Sequence, residues 1–291
     1  AGLPLLLVLG TLSFWLREAV IDRTTIGYLS WVGLAYAFKW VWAPLVDRLP
    51  LPGLTRRQGR RRSWLLLSQL LIAAGLLGMA SQNPQLALTP MVWSALVVAF
   101  GSATQDIALD AYRIESASMQ EQAALAATYQ TGYRLAMIWA GAGVLWVATL
   151  AQGAQLGYAV RAWQVAYSVM AACMVVGIVT VLLSPEPQPR PLPPSRSVQE
   201  WLHSALVAPF ADFIARYRWQ AALVLGLIAV YRISDVVMGI MANPFYVDMG
   251  YTKAQVAAVT KIYGVLMTLL GAFVRCSSTS SRRRARRRRG C

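Results

Sequence analysis

Charge is scarce in this chain. Only 13% of its 291 residues are Asp, Glu, Lys or Arg, about half of what a soluble domain carries. Twelve are acids, one residue is a histidine and three are cysteines. Cys173 lies in an apolar run, and Cys276 and Cys291 lie in the final basic stretch, so neither a disulfide framework nor a cysteine metal motif can be built. The lone His203 has no partner nearby and reads as a solvated loop residue. There is no nucleophile–base pattern, no glycine-rich phosphate loop and no metal cluster, so no cofactor is expected. The shortage of charge excludes an ordinary soluble globular domain.

Apolar length fills the space that charge leaves. Hydrophobic residues make up 57% of the chain and the mean hydropathy is +0.49. A bilayer-crossing helix needs about 20 apolar residues. Runs near 26–46, 64–81, 91–111, 124–150, 158–183, 219–241 and 255–274 meet or approach that length. The run at 1–16 is shorter and reads as a clipped span, with residues expected to precede Ala1. A signal peptide fits it poorly, because no basic segment comes first and Gly and Pro interrupt it. The expected fold is an all-α integral membrane protein of eight helices.

The net charge of +15 does not call for nucleic acid. Eight of the 27 basic residues lie from Arg275 onward in a segment without acids, and the remaining excess is about +7. Topology accounts for it. With a cytoplasmic N-terminus, the loops 47–63, 112–123 and 184–218 hold eleven basic residues. The opposite loops hold Arg17, Arg23, Arg161 and Lys253. Such an imbalance follows the positive-inside rule.

Four units are expected along the chain. Residues 1–183 form a six-helix bundle. Residues 184–218 form a cytoplasmic linker, stiff over the prolines from Pro185 to Pro194 and amphipathic from Ser197 to Tyr217. Residues 219–274 begin a second bundle. Six helices, a long linker and further helices are the organisation of carriers built from two repeats. The Arg/Ser-rich segment 275–291 breaks with everything before it. It reads as a shifted reading frame, ahead of a polybasic contact with anionic lipid and well ahead of a nucleic-acid arm.

Ionisable residues inside apolar runs mark candidate sites. Asp106 and Asp110 are four apart, which puts both carboxylates on one helix face. They are the proton-coupling candidates; the plainer role for Asp110 is an ion pair with Arg113 or Arg48. Lys39 and Arg134 interrupt apolar stretches and could meet Asp106 or an anionic substrate; Lys39 could instead snorkel to the interface. Gly132, Ala136 and Ala140 suggest a stripe for close helix packing. Arg232 and Asp235 are three apart and suited to pair with each other. Lys261 has no local acid and is a candidate for the cavity wall. The two aspartates also resemble half of an intramembrane prenyltransferase site, but the chain offers no second acid-rich motif to complete a Mg²⁺ site.

Several segments together resemble AmpG-type muropeptide permeases. They are Gly2-Leu3-Pro4-Leu5, Thr25-Ile26-Gly27, Phe38-Lys39, Ala43-Pro44-Leu45-Val46-Asp47-Arg48, Arg60-Arg61-Arg62-Ser63-Trp64, Ser102-Ala103-Thr104-Gln105-Asp106-Ile107, Gly132-Tyr133-Arg134-Leu135, Pro185-Glu186-Pro187 and Val207-Ala208-Pro209-Phe210. The likeness runs collinearly through residues 1–274. It implies a major facilitator-type bundle in a bacterial inner membrane: the N-terminal six helices plus the first two of the C-terminal half. It also implies proton-driven import of anionic anhydro-muropeptides for peptidoglycan recycling, by a protein acting as a monomer. Asp47, Arg48, Arg60 and Arg61 would then form a cytoplasmic charge latch between the halves. Carriers of acyl-CoA or sugars, and a non-transporting fragment, are the alternatives.

Overall fold

The computed structural model describes residues 2–118, 121–155, 157–187, 203 and 207–256. Among them there is no strand, and four helices are long and apolar enough to cross a membrane. The all-α expectation holds.

The first span is α1 (Gly2–Leu6), a π turn (Leu7–Thr11) and α2 (Leu12–Glu18). The second is broken into α3 (Arg23–Leu29), a 3₁₀ turn (Ser30–Gly33), α4 (Leu34–Ala37) and α5 (Lys39–Arg48). The expectation was one continuous helix. Gly27 and Gly33 weaken helix by about 1 kcal/mol each, and Pro44 inside α5 cannot donate to the carbonyl of Trp40. The chain tightens at Phe38, whose carbonyl accepts the Val41 amide at 2.9 Å.

Then follow α6 (Leu54–Gln58), α7 (Arg60–Ala80), α8 (Leu88–Ser116), α9 (Gln122–Ile138), a second π turn (Trp139–Gly143), α10 (Val144–Gln152) and α11 (Val160–Leu183). After the linker come α12 (Ala208–Tyr217), α13 (Trp219–Asp248) and α14 (Lys253–Val256). Three boundaries differ from the sequence reading. Arg60, Arg61 and Arg62 form the first turn of α7 instead of a loop, Arg113 belongs to α8, and α13 continues through Pro244. Of the surface helix expected over Ser197–Tyr217, the described part is α12. Lys261 and the segment 275–291 lie outside the described residues.

Helices α7 and α8 pack against each other most closely. A Cβ on Gly75 would run into the Val98 side chain and the Ser94 carbonyl, and one on Gly101 would press on the Ser68 carbonyl. Gly75→Ala is therefore expected to overpack this seam at about 1–3 kcal/mol, lowering the midpoint of a thermal-unfolding scan in detergent by several degrees. The small-residue stripe expected on α9 is corrected in part. A Cβ at Gly132 would meet nothing among the described residues, whereas Ala140 is fully buried.

A stack of aromatics closes one end of the core. Trp15 lies parallel to Trp163 with ring centroids 5.7 Å apart, and Tyr167 tilts against Trp15 at 4.9 Å. Their polar atoms find partners: Trp15 Nε1 donates to Tyr158, Trp163 Nε1 to Glu18 and the Tyr167 hydroxyl to the Leu7 carbonyl. Apolar residues such as Leu77, Trp93 and Val176 point outward, as lipid contact permits.

Candidate functional site

Helix α8 carries both acids, and they occupy different surroundings. Lys39 opens α5 just past the break at Phe38, and its ammonium stands 3.9 Å from Asp106 Oδ2. That is a charge contact and too long for a hydrogen bond. Asp106 Oδ1 is buried and has no hydrogen-bond partner among the described residues. Asp106 acts electrostatically on Tyr36 and on Tyr129 of α9. A buried polar atom without a partner carries a desolvation cost. Asp110 takes the plainer role: it pairs with Arg113 at 3.4 Å and is 48% exposed. Arg113 in turn lies over the Tyr129 ring, 5.1 Å from its centre.

The structure does not bring every candidate to this place. Arg134 lies half-buried on α9, and no ion pair joins it to a described residue. Arg232 and Asp235 sit on α13, but their side chains lie outside the described part, as does that of Arg48.

At the end where α5, α8 and α11 finish, Arg61 is the hub. Its guanidinium grips Glu115 in a fork, with Nε and Nη2 at 2.9 and 2.6 Å, and reaches Asp47 at 2.7 Å. Arg60 stands 3.9 Å from Glu115. Three arginines at a helix N-terminus oppose the helix dipole, and Glu186 offsets this by accepting the Arg61 and Arg62 amides at 2.8 and 3.1 Å. Gly59 makes room with φ 83°, a conformation glycine adopts freely, and a Cβ there would collide with the Glu186 carboxylate. Asp47, Arg60 and Arg61 come together here, and among the described residues they join helices within the first six. Sequence reading missed Glu115 and Glu186. They lie 54 and 125 positions from Arg61, too far for sequence spacing to pair them.

At the opposite end, Asp248 closes α13. Arg17 reaches its Oδ1 at 2.6 Å and Arg23 its Oδ2 at 2.6 Å. Partial desolvation pushes the Asp248 carboxyl up. The Arg17 hydrogen bond and the two guanidinium charges outweigh it and hold the group below the usual carboxylate range. Asp22 is also held low, first by the Thr25 hydroxyl that it caps. A depressed pKa means stability that is present above the unfolded value, near 3.9, and lost as pH falls through the folded one. The pairing of α2 with α13 is therefore expected to survive from neutrality to about pH 4 and to weaken below it. Thermal midpoints of the parent and of Asp248→Asn, compared across a pH series in detergent, measure this: the gap between them should close below about pH 4.

Sequence comparison places this arrangement. The profile of the Major Facilitator Superfamily matches residues 3–290. The chain belongs to that superfamily. Among its relatives, a Rickettsia conorii protein named AmpG 4 is 34% identical over 275 residues, covering 94% of this chain and 64% of that protein. The anhydromuropeptide permease of Escherichia coli K12 is 38% identical over 273 residues, covering 94% and 52%. This major facilitator thus spans about half to two thirds of the length of these relatives. The AmpG resemblance read from the sequence is borne out, as is a multi-pass membrane protein. Membership of this superfamily favours a carrier and lends nothing to the prenyltransferase alternative.

Proposed function

We propose that this chain belongs to a proton-coupled carrier that imports anhydro-muropeptides across a bacterial inner membrane for peptidoglycan recycling. Residues 1–183 form its first six-helix unit, 184–218 the cytoplasmic linker and 219–274 the start of the second unit, with the N-terminus inside. The observation that carries this reading is the Asp106 carboxylate within a membrane helix, one oxygen facing Lys39 at 3.9 Å and the other buried without a hydrogen-bond partner among the described residues. A proton and an anionic substrate can divide such a pair between them: protonating Asp106 frees Lys39 for a substrate carboxylate. Arg134 and Lys261 add positive charge suited to the same anion, Asp110 is a second proton candidate, and Arg232 with Asp235 would neutralise each other. Asp47, Arg48, Arg60 and Arg61 would serve the cytoplasmic latch.

Right-side-out vesicles loaded at high internal pH test this. Labelled anhydro-muropeptide is expected to accumulate only under an inward proton gradient, with the lipid bilayer and monomeric carrier sufficient. Accumulation indifferent to that gradient would overturn the coupling, and transport of acyl-CoA or free sugar in its place would overturn the cargo.

A further inference from the structure

We propose that Arg17, Arg23 and Asp248 form the outer gate of this carrier, an ionic clasp that closes the passage between the first six helices and the seventh. The inference rests on the transport reading above for its purpose, though not for its geometry.

Four observations support it. The ion pairs that join the first six helices to α13, among the described residues, lie at this end of the bundle. The Arg61 network at the other end ties Asp47, Glu115 and Glu186 to one another and leaves α13 alone. Among the described residues, the ion pairs between the first six helices and α13 thus lie on one side of the bundle, the asymmetry an alternating-access carrier needs in each of its facing states.

Second, Asp248 is the last residue of a helix of 30 residues. A carboxylate there opposes the negative end of the helix dipole. Its place makes sense only with cations supplied from elsewhere, and two guanidinium groups supply them.

Third, the turn between α2 and α3 is shaped to deliver both arginines to one carboxylate. Val20 sits at φ 65°, an outlying conformation for a β-branched residue that surrounding contacts must hold in place. Arg17 Nη1 donates to the Ile21 carbonyl, Asp22 caps the Thr25 amide, and Gln85 Nε2 donates to the Ala19 carbonyl.

Fourth, the joint beside the clasp is loosely filled. A cavity of about 330 Å³ lies between Glu18 and Gln152 on one side and Val247 and Tyr251 on the other. Charge and the apolar contacts of Tyr246, Val247 and Val256 together hold this end, and breaking the clasp removes the charged part.

Ser13 provides the readout. It lies one turn below Arg17 on the same helix face and is 5% exposed. Take Ser13→Cys in a full-length parent with its three native cysteines replaced by serine, in right-side-out vesicles without substrate. An impermeant maleimide is expected to label it slowly. Asp248→Asn should raise that rate at least about fivefold, the factor that a single lost interaction typically brings. The charge swap Arg17→Asp with Asp248→Arg should restore protection, which also guards against a variant that simply inserts poorly. Unchanged labelling in Asp248→Asn, or a swap that labels as fast as the single variant, would overturn the gate. Labelling needs no cargo: a working gate with no muropeptide uptake would sink the transport reading alone, and gradient-driven uptake with unchanged labelling would sink the gate alone.

Discussion

Asp106→Asn is expected to abolish accumulation while leaving exchange intact. The amide keeps the shape of the carboxylate but takes up no proton, so the carrier loses its link to the gradient and keeps its path for substrate. One elementary charge moved across 100 mV carries about 2.3 kcal/mol, and about 1.4 kcal/mol corresponds to a tenfold ratio. A cycle that moves one net positive charge can therefore sustain roughly a 50-fold concentration difference at that potential, whereas one proton moved with a singly charged anion is driven by the pH difference alone. In Asp106→Asn the ratio should fall to about one, while counterflow of labelled against unlabelled substrate persists. Lys39 is 39% exposed and can be solvated once its partner is neutral, so the variant should still fold. Asp110→Asn should do far less, because that acid is half exposed and already engaged by Arg113. Undiminished accumulation in Asp106→Asn would move the proton site elsewhere.

The second large effect is on stability. Arg61 is 6% exposed, and its side chain is shared between Glu115 and Asp47. Arg61→Ala would take the two-point grip from Glu115, whose side chain is 9% exposed, and leave Arg60 at 3.9 Å. Removing one partner of a buried pair costs about 3–5 kcal/mol. The expected outcome is a sharp drop in membrane-inserted protein and, for what remains, a thermal midpoint in detergent lower than that of Gly75→Ala or Asp106→Asn. Arg61→Lys keeps the charge but loses the planar fork, so it should fall between Arg61→Ala and the parent. Glu115→Gln in the Arg61→Ala background should recover part of the loss, since the poorly paired charge is then gone. A single variant as stable as the parent would show that the network holds nothing together.

Much of this molecule was legible in its residues, for identifiable reasons. Membrane helices announce themselves because the bilayer demands length and apolarity together, and α7, α8 and α11 were visible on those grounds. Asp106 stood out because an acid inside such a run is costly. Two kinds of feature stayed hidden. Helix ends did, because a basic turn such as Arg60-Arg61-Arg62 looks like loop until Glu186, 125 residues away from Arg61 in sequence, caps it. Partnerships across distance did as well. Arg17 and Asp248 are separated by 231 positions, and each alone reads as an ordinary loop charge. The break in the second span could have been weighed from Gly33 and Pro44, but the apolar run masked it. The Trp15–Trp163 stack gave no local sign at all.

The two π turns carry a consequence of their own. Each packs one surplus residue into its helix, and they face each other: Thr11 Oγ donates to the Ala140 carbonyl at 3.1 Å. A π turn takes about one residue more than an α turn to complete the same rotation. Deleting one residue from Leu7–Thr11 would therefore let that helix become regular with both ends still facing as they do now, Arg17 toward the clasp and Gly2 against Tyr133. What the deletion would remove is the local bulge, and with it the reach of Thr11 to the Ala140 carbonyl.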